Sequence, residues 1–237
     1  MNELDFLKET AAADGIILDE KARERFEIFR SFLVEYNEHV NLTAITDDRG
    51  IIEKHFLDSM KILKYADIPQ GATFCDVGCG AGFPSVPLLI ARPDLKFTMI
   101  EATGKKLVFI EKLLEKLGLS ANLVHARGEE AGKKAEYREC FDFVTARAVA
   151  ALRELSEYCL PLCRVGGKFI SMKGPLAETE LADAKKAIAV LGGSDAKITE
   201  YALPCGDRRT VISIGKTAPT PKTYPRPSAV IAKKPIK

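Results

Sequence analysis

The chain has 237 residues, 46% of them hydrophobic, and its 35 Lys and Arg against 33 Asp and Glu leave a net charge of +2. Such a length and apolar content support one substantial core with at most a small appended subdomain. No run of eighteen apolar residues exists, which excludes a membrane-spanning helix, and the acidic start Met1-Asn2-Glu3-Leu4-Asp5 is unlike a secretory leader, so a cytoplasmic protein is expected.

Residues 3–13 predict a short helix. A longer one starts at Asp19, with Ala22, Phe26, Phe29, Phe32, Leu33, Tyr36 and Val40 at three- and four-residue intervals. A third is predicted from Ile51 to Tyr65, with Ile52, Phe56, Met60 and Leu63 on one face. Ile68-Pro69-Gln70-Gly71 ends that pattern. Residues 1–70 therefore predict a helical cap, and their nine Lys/Arg against fifteen Asp/Glu make it acidic.

From residue 72 the pattern alternates. Strands are predicted at 72–76, 96–100, 122–125, 141–146 and 167–172, and helices at 84–91, 105–117, 129–135, 153–163 and 177–191. Strands alternating with helices argue for a doubly wound parallel sheet with right-handed crossovers. Segments 196–203 and 208–214 flank Pro204-Cys205-Gly206-Asp207 and read as a closing β-hairpin, giving a mostly parallel seven-stranded α/β sheet. Three units follow: the cap 1–70, a core 71–215, and a tail 216–237. The tail carries six Lys/Arg, no acid and five prolines, and is expected to be irregular and laid on the surface. Its charge suggests a polyanionic partner, because clustered cations gain affinity by releasing counterions from phosphates.

The motif that carries most chemistry is Asp76-Val77-Gly78-Cys79-Gly80-Ala81-Gly82-Phe83-Pro84, directly after the first strand. Glycines at every second position allow a tight turn and let a ligand approach bare backbone. The dinucleotide pattern G-x-G-x-x-G does not fit: counted from Gly78 its third glycine falls on Phe83, and counted from Gly80 it falls on Ser85. The spacing Asp-x-Gly-x-Gly-x-Gly instead resembles the first motif of class I methyltransferases, whose S-adenosylmethionine has no pyrophosphate to seat. Asp76 either faces the methionyl ammonium or holds the loop by a local bond; both roles can coexist. Glu101 ends the next apolar run, where a carboxylate can accept from both ribose hydroxyls. Gly128 and Glu129 follow the third strand, beside an adenine pocket in this layout, and Arg147 follows the fourth, where substrate is met.

What is missing also informs. No Asn/Asp-Pro-Pro-Tyr/Phe motif is present to handle an exocyclic amine, and no Pro-Cys follows the fourth strand to attack a pyrimidine; Pro204-Cys205 lies in the hairpin. The natural target is an atom with a free lone pair and no proton, such as purine N7. The six cysteines lack the spacing and the histidine companions of a zinc site, so no metal is expected and buried reduced thiols are the plainer reading.

Taken together, Asn41-Leu42-Thr43-Ala44-Ile45, His55-Phe56-Leu57-Asp58-Ser59, the glycine loop running into Phe83-Pro84-Ser85-Val86-Pro87-Leu88, Glu101 with Lys105-Lys106, Arg127-Gly128-Glu129, Thr145-Ala146-Arg147-Ala148, Lys173-Gly174 and Tyr224-Pro225-Arg226 resemble the RsmG (GidB) family of bacterial 16S ribosomal RNA guanine-N7 methyltransferases. Two places depart from it: Gly128 stands where alanine is common, and Pro227–Ala232 replaces a Gly-x-Pro element. The resemblance implies a class I, Rossmann-like fold and methylation of N7 of guanine 527 in the 530 loop of 16S RNA, on the small ribosomal subunit or its RNA. It implies cofactor contacts from Asp76, Gly78, Gly80, Gly82, Phe83, Glu101, Gly128, Glu129 and Arg147, with Arg147 and Lys173 as positioning candidates. Arg147, Lys173, Arg208, Arg209, Arg226, Lys233 and Lys234 are the expected RNA-facing cations. A small-molecule methyltransferase and a non-catalytic RNA-binding factor on the same fold are the alternatives. A monomer is expected, since no extra apolar stripe is evident.

Overall fold

A computed structural model describes residues 2–236. Helices α1 (Glu3–Ala13) and α2 (Glu20–Asn37) begin at Asn2 and Asp19, whose side chains accept from the backbone N–H three residues on and so satisfy first-turn donors. A one-turn helix α3 (Asp48–Gly50) runs without a break into a π-helix (Ile51–Leu57) and then α4 (Asp58–Tyr65). The single amphipathic helix expected over 51–65 is therefore interrupted in its winding, because a wider π-turn occupies its first half.

The core alternates β1 (Thr73–Val77), α5 (Ser85–Ala91), β2 (Lys96–Glu101), α6 (Gly104–Leu117), β3 (Asn122–His125), α7 (Gly128–Ala131), β4 (Phe141–Arg147), α8 (Leu152–Cys159), β5 (Cys163–Lys173) and α9 (Ala177–Val190), and closes with β6 (Gly193–Ala202), β7 (Arg208–Lys216) and α10 (Ser228–Lys233). The seven strands lie in the order β3-β2-β1-β4-β5-β7-β6, with β1 to β5 parallel and β7 antiparallel to both neighbours. The chain reverses its direction of travel across the sheet between β1 and β4, so the loops after these two strands open a crevice at the switch point.

Alternate residues of the central strands feed two apolar clusters, one on each face. Phe74, Phe97, Met99, Phe143, Ile170 and Met172 join the residues of α1, α2, α4, α5 and α6; Cys75, Val77, Ile100, Val144, Phe169 and Ile212 join α7, α8 and α9. The helices of residues 1–70 thus share their core with one sheet face. Four cysteines are buried, whereas Cys140 and Cys205 are exposed.

The tail departs from the irregular surface segment expected of it. Lys216 is fully buried, where its ammonium donates to the carbonyls of Leu160 and Leu191 and to Thr220. Pro225 and Ile231 are buried as well, and residues 228–233 wind into α10. Proline content hides this because anchoring comes from isolated long-range contacts with no periodic signature.

Candidate active site

The crevice holds a cavity of about 610 Å³ lined by the loops after β1, β2, β3 and β4. Its first wall is the glycine loop. Gly78 and Gly80 have φ of +71° and +58°, and a Cβ on Gly78 would fall 2.8 Å from Val149 Cγ2, so the loop needs glycine there for both shape and space. Gly82 does not line the cavity; a Cβ on it would fall 2.6 Å from Val86 Cγ2, and its bareness lets α5 close onto the loop.

Asp76 also lies outside the lining, wholly buried beneath the loop. Ser85 Oγ donates to its Oδ2 at 2.6 Å, while Oδ1 has no partner. Burial pushes its carboxyl up to about 7 against that hydrogen bond. Glu101, at the end of β2, takes Gly80 N–H on Oε2 at 3.0 Å and Thr103 N–H on Oε1 at 2.8 Å. Each oxygen keeps a lone pair for a further donor. Gly128 and Glu129 open α7 on the opposite wall, where Gly128 leaves no room for a methyl: its Cβ would sit 2.8 Å from Val77 Cγ1.

Arg147 ends β4 as the wall between this cavity and a second one of about 480 Å³. Burial lowers its guanidinium below the usual range, opposed by the Asp58 carboxylate. One terminal nitrogen donates to Lys54 O at 3.1 Å and Asp58 Oδ2 at 3.2 Å; the other lies 3.2 Å from His55 Nδ1. The guanidinium also lies 4.9 Å above the Phe83 ring, and the His55 ring stacks on that ring at 4.4 Å. Burial first, then Arg147, lowers the His55 imidazole to about 3. Ala148, the next residue, sits at φ +56°, a strained conformation for a side chain and a common mark of functional loops.

The second cavity is lined by Lys54, Asp58, Met172, Lys173, Gly174, Glu180, Tyr201 and Arg209 as well as the shared His55, Arg147 and Ala148. Its cations are paired. Lys173 donates to Ala150 O at 2.6 Å and meets Glu180 at 2.8 Å; Lys54 and Arg209 both meet Asp207. Tyr201 donates to Asp58 Oδ1 at 2.7 Å, tying the hairpin to the α4 end of the cap.

Of the residues singled out from the sequence, Gly78, Gly80, Phe83, Glu101, Gly128, Glu129 and Arg147 are brought together in the first cavity, and Arg147, Lys173 and Arg209 in the second. Arg208, Lys233 and Lys234 line neither; Arg208 pairs with Glu200 on an exposed edge. Arg226 is committed to the buried carboxylate of Glu157. Sequence reading misses Tyr201, Glu180, Tyr158 and Ser228, which sit in elements far along the chain without a motif. His55 and Asp58 do carry a signal, inside His55-Phe56-Leu57-Asp58-Ser59. Among the described residues no cluster of three metal-ligating side chains occurs and no helix is long and apolar enough to cross a membrane.

The residues present suit S-adenosylmethionine: a glycine cradle that a Cβ would fill, and Glu101 at the end of the next strand with free lone pairs facing the same cavity. Sheet order and crevice are those of the class I methyltransferase fold, and an SAM-dependent O-methyltransferase of Thermotoga maritima shares this fold at TM-score 0.53, 14% identity, over 80% of this chain and 73% of that one. The family model described as rRNA small subunit methyltransferase G matches residues 22–211. Proteins named ribosomal RNA small subunit methyltransferase G from Lactobacillus acidophilus and Lactobacillus johnsonii are 47% and 48% identical over the whole of both chains. The chain belongs to this family, and its cofactor is S-adenosylmethionine.

Proposed function

We propose that the chain methylates N7 of a guanine in the 530 loop of 16S ribosomal RNA, guanine 527 by the family's role, as a cytoplasmic monomer. The observation that carries this reading is the pair of adjoining cavities with a common wall at His55, Arg147 and Ala148. A cofactor in the first and an extruded base in the second would meet at that wall. Glu101 would accept the ribose hydroxyls, Gly128 and Glu129 would border the adenine, and Phe83 with the backbone of Gly78 and Gly80 would flank the methionyl arm. Asp76 and Gly82 would act from behind, by holding the loop.

S-adenosylmethionine supplies an electrophilic methyl on a sulfonium that leaves as a neutral thioether. N7 offers a lone pair and no proton, so the protein needs no general base, and the site agrees with that. His55 is committed to Arg147 and Thr43, and burial raises the Cys79 thiol well above its ordinary range. Arg147 keeps its Nε–H and one terminal N–H outside the bonds described above, which would serve guanine O6 or a phosphate. Alignment alone can contribute about 7–11 kcal/mol. Lys173 would act as a positioning residue by fixing the loop that follows Arg147 through Ala150. Arg208, Arg209, Lys233 and Lys234 would meet phosphates.

Incubation with methyl-labelled S-adenosylmethionine and small ribosomal subunits, followed by mapping of the modified base, tests the reading. Label on one 530-loop guanine as 7-methylguanine is expected; no incorporation, or label elsewhere, overturns it.

A further inference from the structure

Charge alone assigns the C-terminal tail to RNA, yet its best-placed cation points inward. Arg226 makes three bonds to Glu157 on α8: backbone N–H and Nε to Oε1, both at 2.8 Å, and a terminal nitrogen to Oε2 at 2.6 Å. Glu157 is 1% exposed. The other terminal nitrogen of Arg226 donates to Lys234 O at 2.9 Å, so one guanidinium joins α8 to the far end of α10. This is a bidentate pair with a buried carboxylate, and it commits Nε and both terminal nitrogens of Arg226 to protein oxygens.

The rest of the segment converges on the same wall. Arg138 donates to the carbonyls of Thr220 and Tyr224 in the tail and of Gly132 at the C-terminal end of α7, at 2.7, 2.9 and 3.0 Å. Gly132 also accommodates Pro225 closely; a Cβ there would lie 3.2 Å from its ring. The tail thus braces α7 from behind, and the front of α7 is Gly128 and Glu129. It then delivers Ser228 into the lining of the first cavity, on the side formed by Glu154 and Tyr158 of α8. Tyr158 follows Glu157 directly on the helix that Arg226 grips, so the latch and the cavity wall share one turn of α8.

We propose that residues 217–236 form a strap that completes the nucleoside end of the cofactor site, with Arg226 as the positioning residue that latches it and Ser228 as the side chain it presents to the ligand. The inference rests on the S-adenosylmethionine assignment above. The cations of the tail then have different roles, since Arg226 holds the latch while the exposed Lys233 and Lys234 remain for RNA. Adenine affinity also depends on a segment that the family model match, which ends at residue 211, does not reach.

Isothermal titration of the full-length protein with S-adenosylhomocysteine, without RNA, separates these roles. Arg226→Ala should weaken binding about tenfold or more and Ser228→Ala by roughly threefold. Lys222→Ala, an exposed position on the same segment, should leave it unchanged. Since Arg226→Ala strands a buried carboxylate, the Glu157→Gln/Arg226→Ala pair is measured as well; it removes the stranded charge and should still bind weakly, while Arg226→Lys should recover part of the loss. Hydrogen exchange should show ligand-dependent protection at residues 224–231. Unchanged affinity in Arg226→Ala and in the Glu157→Gln/Arg226→Ala pair overturns the strap, and weaker subunit binding in the same variants returns Arg226 to RNA contact. A wild-type protein that does not bind S-adenosylhomocysteine overturns the cofactor assignment and the strap with it.

Discussion

Arg147 approaches Nδ1 of His55 at 3.2 Å, and this one contact dictates the protonation of the imidazole. A guanidinium can only donate, so Nδ1 must accept. The ring proton therefore sits on Nε2, from which it is donated to Thr43 Oγ1 at 2.8 Å. His55 is a neutral spacer between two motifs of the cap and the end of β4.

Acid stability should report this directly. The imidazole titrates near 6.5 when free and is lowered to about 3 in the fold. Below pH 6.5 the unfolded chain takes up a proton that the folded chain refuses, so stability falls as pH drops from 6.5 toward 3. His55→Gln, measured by urea denaturation at about pH 7, 6 and 5, should flatten this dependence by up to about 1.4 kcal/mol per pH unit.

Asp76 should show the opposite sign. Its carboxyl rises from 3.8 to about 7, chiefly through burial, so the folded chain binds the proton more tightly and stability is lost as pH climbs through that range. Asp76→Asn should stabilise the ligand-free protein at about pH 8 by a few kcal/mol at most. An unchanged melting temperature under those conditions would contradict the burial of an ionised Asp76.

Arg147 and Asp58 should separate folding from chemistry. Arg147→Ala leaves Asp58 buried with only Tyr201 as a donor, at a cost of about 3–5 kcal/mol. Asp58→Asn in the same chain should restore most of the stability. Methyl transfer to small subunits should stay down by roughly a hundredfold in both, as expected of a lost positioning group. Recovery of turnover in the double variant would show that Arg147 acts only as a structural partner.

Salt dependence should tell the tail lysines from the latch. Binding to subunit RNA should fall steeply between low and physiological salt, and Lys233→Ala and Lys234→Ala should each reduce the logarithmic slope by about one. Arg226→Ala should leave the slope near its wild-type value.

The sheet is legible in the sequence because its signals are local. Alternating apolar runs mark all seven strands, and Leu107 to Leu117 mark α6 through their period. The glycine loop is legible because backbone conformation limits what can stand at Gly78 and Gly80. Contacts at long separation are not: Tyr201 meets Asp58 across 143 positions, and Arg226 meets Glu157 across 69. Neither tyrosine nor arginine at such a place breaks any local rule. The tail differs from its expected path for the same reason, since composition records how many cations a segment has and not where they point. The π-turn at Ile51–Leu57 also leaves no trace, because its apolar spacing passes for an ordinary helix.

That wider turn makes the site sensitive to how this segment winds. Rewinding Ile51–Leu57 as an α-helix without loss of a residue would rotate everything beyond it by roughly 100° relative to what precedes it. His55 and Asp58 could not then both keep their places against Arg147 without the cap shifting on α5. The winding of this stretch thus sets where His55 and Asp58 stand against Arg147, even though Ile51 and Ile52 line neither cavity.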